Sequence, residues 1–159
     1  MPGTKTHSVN AGYMSHVRDD PERLIERAAA HLEGVSYNTL VGTGLSGALI
    51  VPVLARALDK RWLIIRKRGD RSHSATPSEG VLGTRWVFVD DFISSGATLC
   101  RVKQGVYETQ RYGRRRNPFP TRFVGAYLYQ DYNYTGIADN HGEFRPASEL
   151  TDYRRSATV

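Results

Sequence analysis

Two adjacent carboxylates, Asp90 and Asp91, stand between a run of large apolar residues and a string of small ones, Ser94, Ser95, Gly96, Ala97 and Thr98. Residues 87–89 are all large and apolar. They cannot alternate between a wet and a dry face, so they predict a short strand buried on both sides. The small residues predict a loop that runs into a helix beginning near Leu99. A strand, a turn of hydroxyl and glycine residues and a helix N-terminus make a cradle for phosphate, because backbone N–H groups converge there and the helix dipole favours an anion. Carboxylates only accept hydrogen bonds and they bind hard cations, so the acidic pair suits hydroxyls or a divalent metal. Phosphate on the loop and a diol on the carboxylates together describe a sugar phosphate.

The flanking elements must hold this stretch in place. Residues 1–18 show no period and predict an irregular arm. Asp19, Asp20, Pro21 and Glu22 read as a helix start, with a carboxylate cap and proline in the first turn. Leu24, Ile25, Ala28, Ala29 and Leu32 give that helix one apolar stripe, and Gly34 closes it. Residues 37–41 predict a strand, and 42–47 open a helix that runs through Leu58. The six residues 42–47 match Gly-x-Gly-x-x-Gly, the dinucleotide-binding fingerprint. That fold places an acid after the next strand. The strand predicted at 62–65 ends instead in Arg66, Lys67 and Arg68, bases that suit a 2′-phosphate. An NADP-dependent oxidoreductase is therefore one reading, but it leaves residues 90–98 unexplained.

Residues 69–84 are rich in Gly, Ser, Thr and Pro and predict a long loop of the functional or disordered class, with Arg71 and His73 as its chemistry-bearing side chains. Leu99, Val102 and Val106 continue a helix that Gly113 stops, and Arg111, Arg114, Arg115 and Arg116 gather around that stop. Residues 122–130 alternate as a further strand, followed by Asp131 and Tyr132 at a strand end, where α/β sheets bind ligands. The tail 135–159 is weakly patterned and is expected to complete a small hood with the N-terminal arm. Alternating strands and helices predict one α/β domain over 1–159, a parallel sheet with helices on both faces.

Composition bounds the partners. The 159 residues carry 22 basic and 16 acidic side chains, a net charge of +6, which favours polyphosphates and nucleic acids alike. The lone Cys100 forms no internal disulfide and suits a reducing cytoplasm. No apolar run reaches the roughly eighteen residues of a membrane span, and the polar residues 1–10 do not make a secretory signal.

The stretch 87–98 resembles the phosphoribosyl-pyrophosphate (PRPP) signature of type I phosphoribosyltransferases: an apolar strand, two acids, two further residues, then Ser/Thr–Ser/Thr–Gly–x–Thr. The resemblance implies the type I fold with a minimal hood, a homodimer, and Mg²⁺-dependent transfer of the phosphoribosyl group from PRPP to a nucleobase or related heterocycle. It implies that Asp90 and Asp91 hold the ribose hydroxyls and, through water, the metal, while Ser94, Ser95, Gly96, Ala97 and Thr98 hold the 5′-phosphate. Thr43 and Gly44 correspond to the pyrophosphate turn, though many relatives carry a base at the Thr43 position. Arg66 and Lys67 resemble the pair that contacts pyrophosphate in orotate and adenine members, and 69–84 resembles the flexible catalytic loop. The implied catalytic set is Asp90, Asp91, Lys67 and His73, with no catalytic base assigned. Tyr129, Asp131 and Tyr132 fall where the family builds its base site. Hypoxanthine–guanine members usually carry aspartate where Ser94 stands and often lysine at Ala97, so the chain looks closer to the orotate, adenine or xanthine branches. The alternative is a PRPP- or nucleotide-sensing regulator of the same fold that binds RNA or a protein.

Overall fold

Apolar residues on both faces of four short strands force those strands into the middle of the molecule. The structure is a computed structural model that describes residues 20–67, 69, 76–113, 120–129, 131–132, 138–139 and 142–153. Strands β1 (Thr39–Thr43), β2 (Arg61–Ile65), β4 (Arg85–Asp90) and β5 (Arg122–Leu128) pair in parallel in the order β2-β1-β4-β5. Leu40, Val87, Val89 and Tyr127 point to one face, and Val41, Phe88, Ala126 and Leu128 to the other, all of them buried. Helix α1 (Pro21–His31) and helix α2 (Gly44–Ala57) cover the first face, helix α3 (Ala97–Gly113) the second. The helices on both faces are as the sequence predicts. Asp20 caps α1 as expected, its Oδ1 accepting from the Arg23 N–H at 3.1 Å.

The edges depart from the all-parallel expectation. Strand β3 (Ser78–Gly80) runs antiparallel beside β2, and strand β8 (Glu143–Pro146) runs antiparallel beside β5. A parallel strand needs a crossover element, and neither preceding segment has a helical pattern in the sequence. Residues 69–84 are thus not a structureless loop throughout, since 78–80 pair with 63–65. The tail is likewise reassigned: 143–146 finish the main sheet, and the 3₁₀ turn Ala147–Leu150 buries Leu150 completely against the α3 face. Among the described residues, a two-stranded ribbon, β6 (Asp131–Tyr132) with β7 (Ala138–Asp139), stands apart from this sheet. The expected N-terminal arm 1–18 lies outside the described residues.

Two boundaries moved for identifiable reasons. Gly42 and Thr43, expected to open the helix, remain in the ladder opposite Ile64 and Ile65, because Thr43 is extended and its hydroxyl donates to the Ile65 carbonyl at 2.7 Å. Helix α3 begins at Ala97 rather than Leu99, as Gly96 turns left-handed immediately before it.

Candidate functional site

The chain leaves β1 through α2 toward one face and leaves β4 through α3 toward the other. Between the C-terminal ends of these neighbouring strands the connections diverge, and a crevice must open there. It is a cleft of about 270 Å³ lined by residues 43–46, Lys67, residues 90–99 and Arg101.

One wall is the turn from β1 into α2. Gly44 adopts φ +67°, which reverses the chain without a Cβ penalty. Thr43 caps α2 with no side-chain hydrogen bond, so the helix presents uncapped amides to the cleft. The Lys67 side chain reaches across from the end of β2: a Cβ placed on Gly44 would lie 2.9 Å from its Cε and 3.2 Å from its Nζ. A cation at this wall therefore comes from Lys67, while the Thr43 hydroxyl is spent on Ile65. The described peptide bonds are all trans.

The other wall holds the carboxylates and the hydroxyl loop. Asp90 Oδ1 accepts from the Asp91 N–H at 3.1 Å, and Asp91 Oδ1 accepts from the Phe92 N–H at 3.0 Å, which aims both side chains from one short turn. Burial first, then the adjacent Asp91 charge, push the Asp90 carboxyl up to about 7, against a lowering pull from Lys67. Ser95 Oγ accepts from the Ala97 N–H at 3.4 Å, and Gly96 lies at φ +77°. Arg101, one turn into α3, donates to Thr98 Oγ1 at 3.1 Å and so stands at the hydroxyl-loop end. The cleft thus gathers two cations, Lys67 beside Gly44 and Arg101 beside Thr98, with two carboxylates. That pattern suits a ligand with two anionic groups joined by hydroxyl-bearing carbons.

Of the residues expected at a site, Thr43, Gly44, Lys67, Asp90, Asp91, Ser94, Ser95, Gly96, Ala97 and Thr98 come together in this cleft. Arg66 does not line it; its guanidinium pairs with Glu79 on β3. That pairing also turns Arg66 away from the 2′-phosphate role. With β3 short and antiparallel, the sheet lacks the third parallel strand of a Rossmann half. Tyr129, expected to stack on a base, is 3% exposed and packs into the layer under α1 and α2, because Tyr127 and Tyr129 share the inward face at the end of β5. The backbone of Asp131 and Tyr132 forms β6, and their side chains lie outside the described residues, as do Arg71 and His73. Sequence reasoning missed Arg101, which helical spacing from Thr98 would have found.

No protein-family model and no curated protein matches the sequence. Among solved structures, an orotate phosphoribosyltransferase from Aeropyrum pernix matches 72% of this chain and 62% of its own, with a TM-score of 0.54 at 15% identity. A UMP synthase from Leishmania donovani matches 71% of this chain and 22% of its own, with a TM-score of 0.51 at 13% identity. The chain has the type I phosphoribosyltransferase fold. The matched region spans less than two-thirds of either protein. An adenine phosphoribosyltransferase from Thermoanaerobacter pseudethanolicus matches 68% of this chain and 82% of its own at 23% identity, with a TM-score of 0.47. Among the described residues, no helix is long and apolar enough to cross a membrane.

Proposed function

We propose that this chain transfers the 5-phosphoribosyl group of PRPP to a ring nitrogen of a nucleobase or related heterocycle, releasing pyrophosphate. The observation that carries the reading is the gathering, within one cleft, of the turn at Thr43 and Gly44 with Lys67, the carboxylates of Asp90 and Asp91, and the loop 94–98. Residues 94–98 with Arg101 take the 5′-phosphate, Asp90 and Asp91 accept from the ribose hydroxyls, and Gly44 with Lys67 takes the pyrophosphate. Held this way, the anomeric carbon faces open cleft, where the C–O bond to pyrophosphate breaks as a C–N bond forms and the ring nitrogen gives up its proton to the departing pyrophosphate or to water. Positioning and charge neutralisation of the leaving group are then the protein's main contributions.

Magnesium belongs to this reading. Two carboxylates are too few to cage a metal, and among the described residues no cluster of three or more His, Cys, Asp or Glu could hold one. That fits an ion that keeps its waters and takes most of its oxygens from a diphosphate. When bound it would neutralise charge on the departing pyrophosphate, with Asp90 and Asp91 holding it directly or through water.

A screen of free bases with PRPP and Mg²⁺, reading pyrophosphate release, tests the activity and names the acceptor. Calorimetric titration with PRPP tests the site. Replacing both aspartates, Asp90→Asn with Asp91→Asn, removes two negative charges beside a polyanion, so simple repulsion predicts tighter binding. The proposal predicts the opposite: each lost charged hydrogen bond costs on the order of 1.5–3 kcal/mol, and the pair weakens PRPP binding by more than about a hundredfold. Ser95→Ala costs less, because the backbone donors of the loop survive. Unchanged or tighter binding in the double variant would sink the assignment.

A second reading, a nucleotide-sensing regulator that binds RNA, draws on the opposite ends of the parallel strands. Arg85 and Arg122 are register partners there, and Arg61 begins β2 at the same end. Salt-dependent RNA binding without turnover on any base would favour it.

A further inference from the structure

Gly96 is the pivot of the hydroxyl loop, and what fixes it comes from the far end of the sequence. At φ +77° it adopts a conformation that residues with a Cβ rarely take. A Cβ built there would lie 2.0 Å from Cδ1 and 2.5 Å from Cγ of Tyr153, so the tyrosine ring occupies the space a side chain would need. A second link joins the same two segments: the Cys100 thiol donates to the Tyr153 carbonyl at 2.7 Å, while the Cys100 N–H donates to the Gly96 carbonyl at 2.9 Å. The segment bearing Tyr153 is itself anchored. Strand β8 pairs with β5, and Leu150 is fully buried beside Leu99 and Val102 of α3. Tyr153 does not line the cleft. Any effect it has on a ligand is transmitted through the loop.

We propose that residues 147–153 form a clasp, in which Tyr153 is a positioning residue that holds Gly96 left-handed and keeps the amides of 94–98 converged while the cleft is empty. The loop's own residues, two serines, a glycine, an alanine and a threonine, have little side chain with which to order themselves. With the clasp in place, the entropy cost of ordering them falls on folding rather than on binding. The mechanical link stands on the contacts alone. Its consequence for affinity rests on the phosphate role assigned to the loop under the proposed function.

Amide hydrogen exchange on the ligand-free, full-length protein tests the link in wild type, Tyr153→Phe and Tyr153→Ala. The alanine variant is expected to speed exchange at Gly96, Ala97 and Cys100 by about tenfold or more, with Val41 and Phe88 in the central strands unchanged. The phenylalanine variant keeps the ring and the carbonyl and is expected to behave as wild type. Loop amides unchanged in Tyr153→Ala would overturn the clasp, and so would a uniform rise across the sheet, which marks ordinary loss of stability. Ribose 5-phosphate titrated into the same three proteins is expected to bind about tenfold more weakly to Tyr153→Ala alone. Equal affinity in all three would overturn the preorganising role. If none binds this probe, the phosphate-site reading fails, and the exchange data still decide the clasp.

Discussion

Asp90 ends a buried strand and faces an open cleft, and its carboxyl is pulled in both directions. Burial and the Asp91 charge favour the protonated form and place its titration near 7, while Lys67 opposes them. The unfolded chain titrates aspartate at about 4, so between about pH 4 and 7 the folded state binds the extra proton. Stability contributed by this group is therefore full below that window, falls as the pH rises through it, and is flat above it. In thermal melts of the ligand-free protein, wild type is expected to lose melting temperature across this window, and Asp90→Asn to lose that part of the slope. Parallel curves for the two proteins would show that Asp90 titrates normally. The two carboxylates were legible in the sequence because they interrupt an apolar run. Lys67 was legible as one of three adjacent bases and, by resemblance, as half of a pyrophosphate-contacting pair, while its reach to Gly44 depends on β2 lying beside β1.

At the level of elements, strand β1 and helix α2 meet more closely than side chains allow. A Cβ on Gly47 would lie 2.9 Å from the Gly42 carbonyl carbon, and a Cβ on Gly42 would lie 2.7 Å from Val51 Cγ2. Two of the three glycines of the dinucleotide-like fingerprint thus serve strand–helix packing. Gly47→Ala must push the start of α2 off the sheet, at a cost of roughly 1–3 kcal/mol. It should also weaken pyrophosphate binding, since the displaced turn carries Gly44; urea melts and pyrophosphate titration measure the two effects. A variant as stable and as tight as wild type would mean that α2 moves freely on the strand. The same fingerprint explains how a packing motif passes for a cofactor motif. The parallel core was readable because strands apolar on both faces have one stable location. Strands β3 and β8, of three and four residues, were not. Segments that short carry no period, and pairing rather than composition makes them strands.

Across the whole molecule, the outward face of α2 is not solvated in the usual way. Leu45, Leu49 and Val53, spaced by four, are 67%, 50% and 41% exposed, and no charged residue occurs in α2 before Arg56. An apolar stripe of this kind on a surface helix marks an interaction face. We propose that the homodimer the sequence resemblance implies is built on this stripe, two copies meeting about a twofold axis. Sedimentation velocity is expected to give twice the chain mass for wild type and the chain mass for Leu49→Lys. A wild-type protein that stays monomeric at every concentration would rule the arrangement out. Residues 143–153, which extend the sheet and brace the loop at once, were invisible in advance because their partners, β5 and Gly96, lie far back along the chain.

That distance has a consequence for synthesis. A ribosome delivers the chain from its N-terminus, so the signature 90–98, α3 and β5 all emerge before the strand that covers the free edge of β5 and before the ring that rests on Gly96. Until then the nascent protein carries an open sheet edge, the feature most prone to pairing with another chain. With the clasp as proposed, firm capture of a phosphate ester begins only once translation has passed Tyr153.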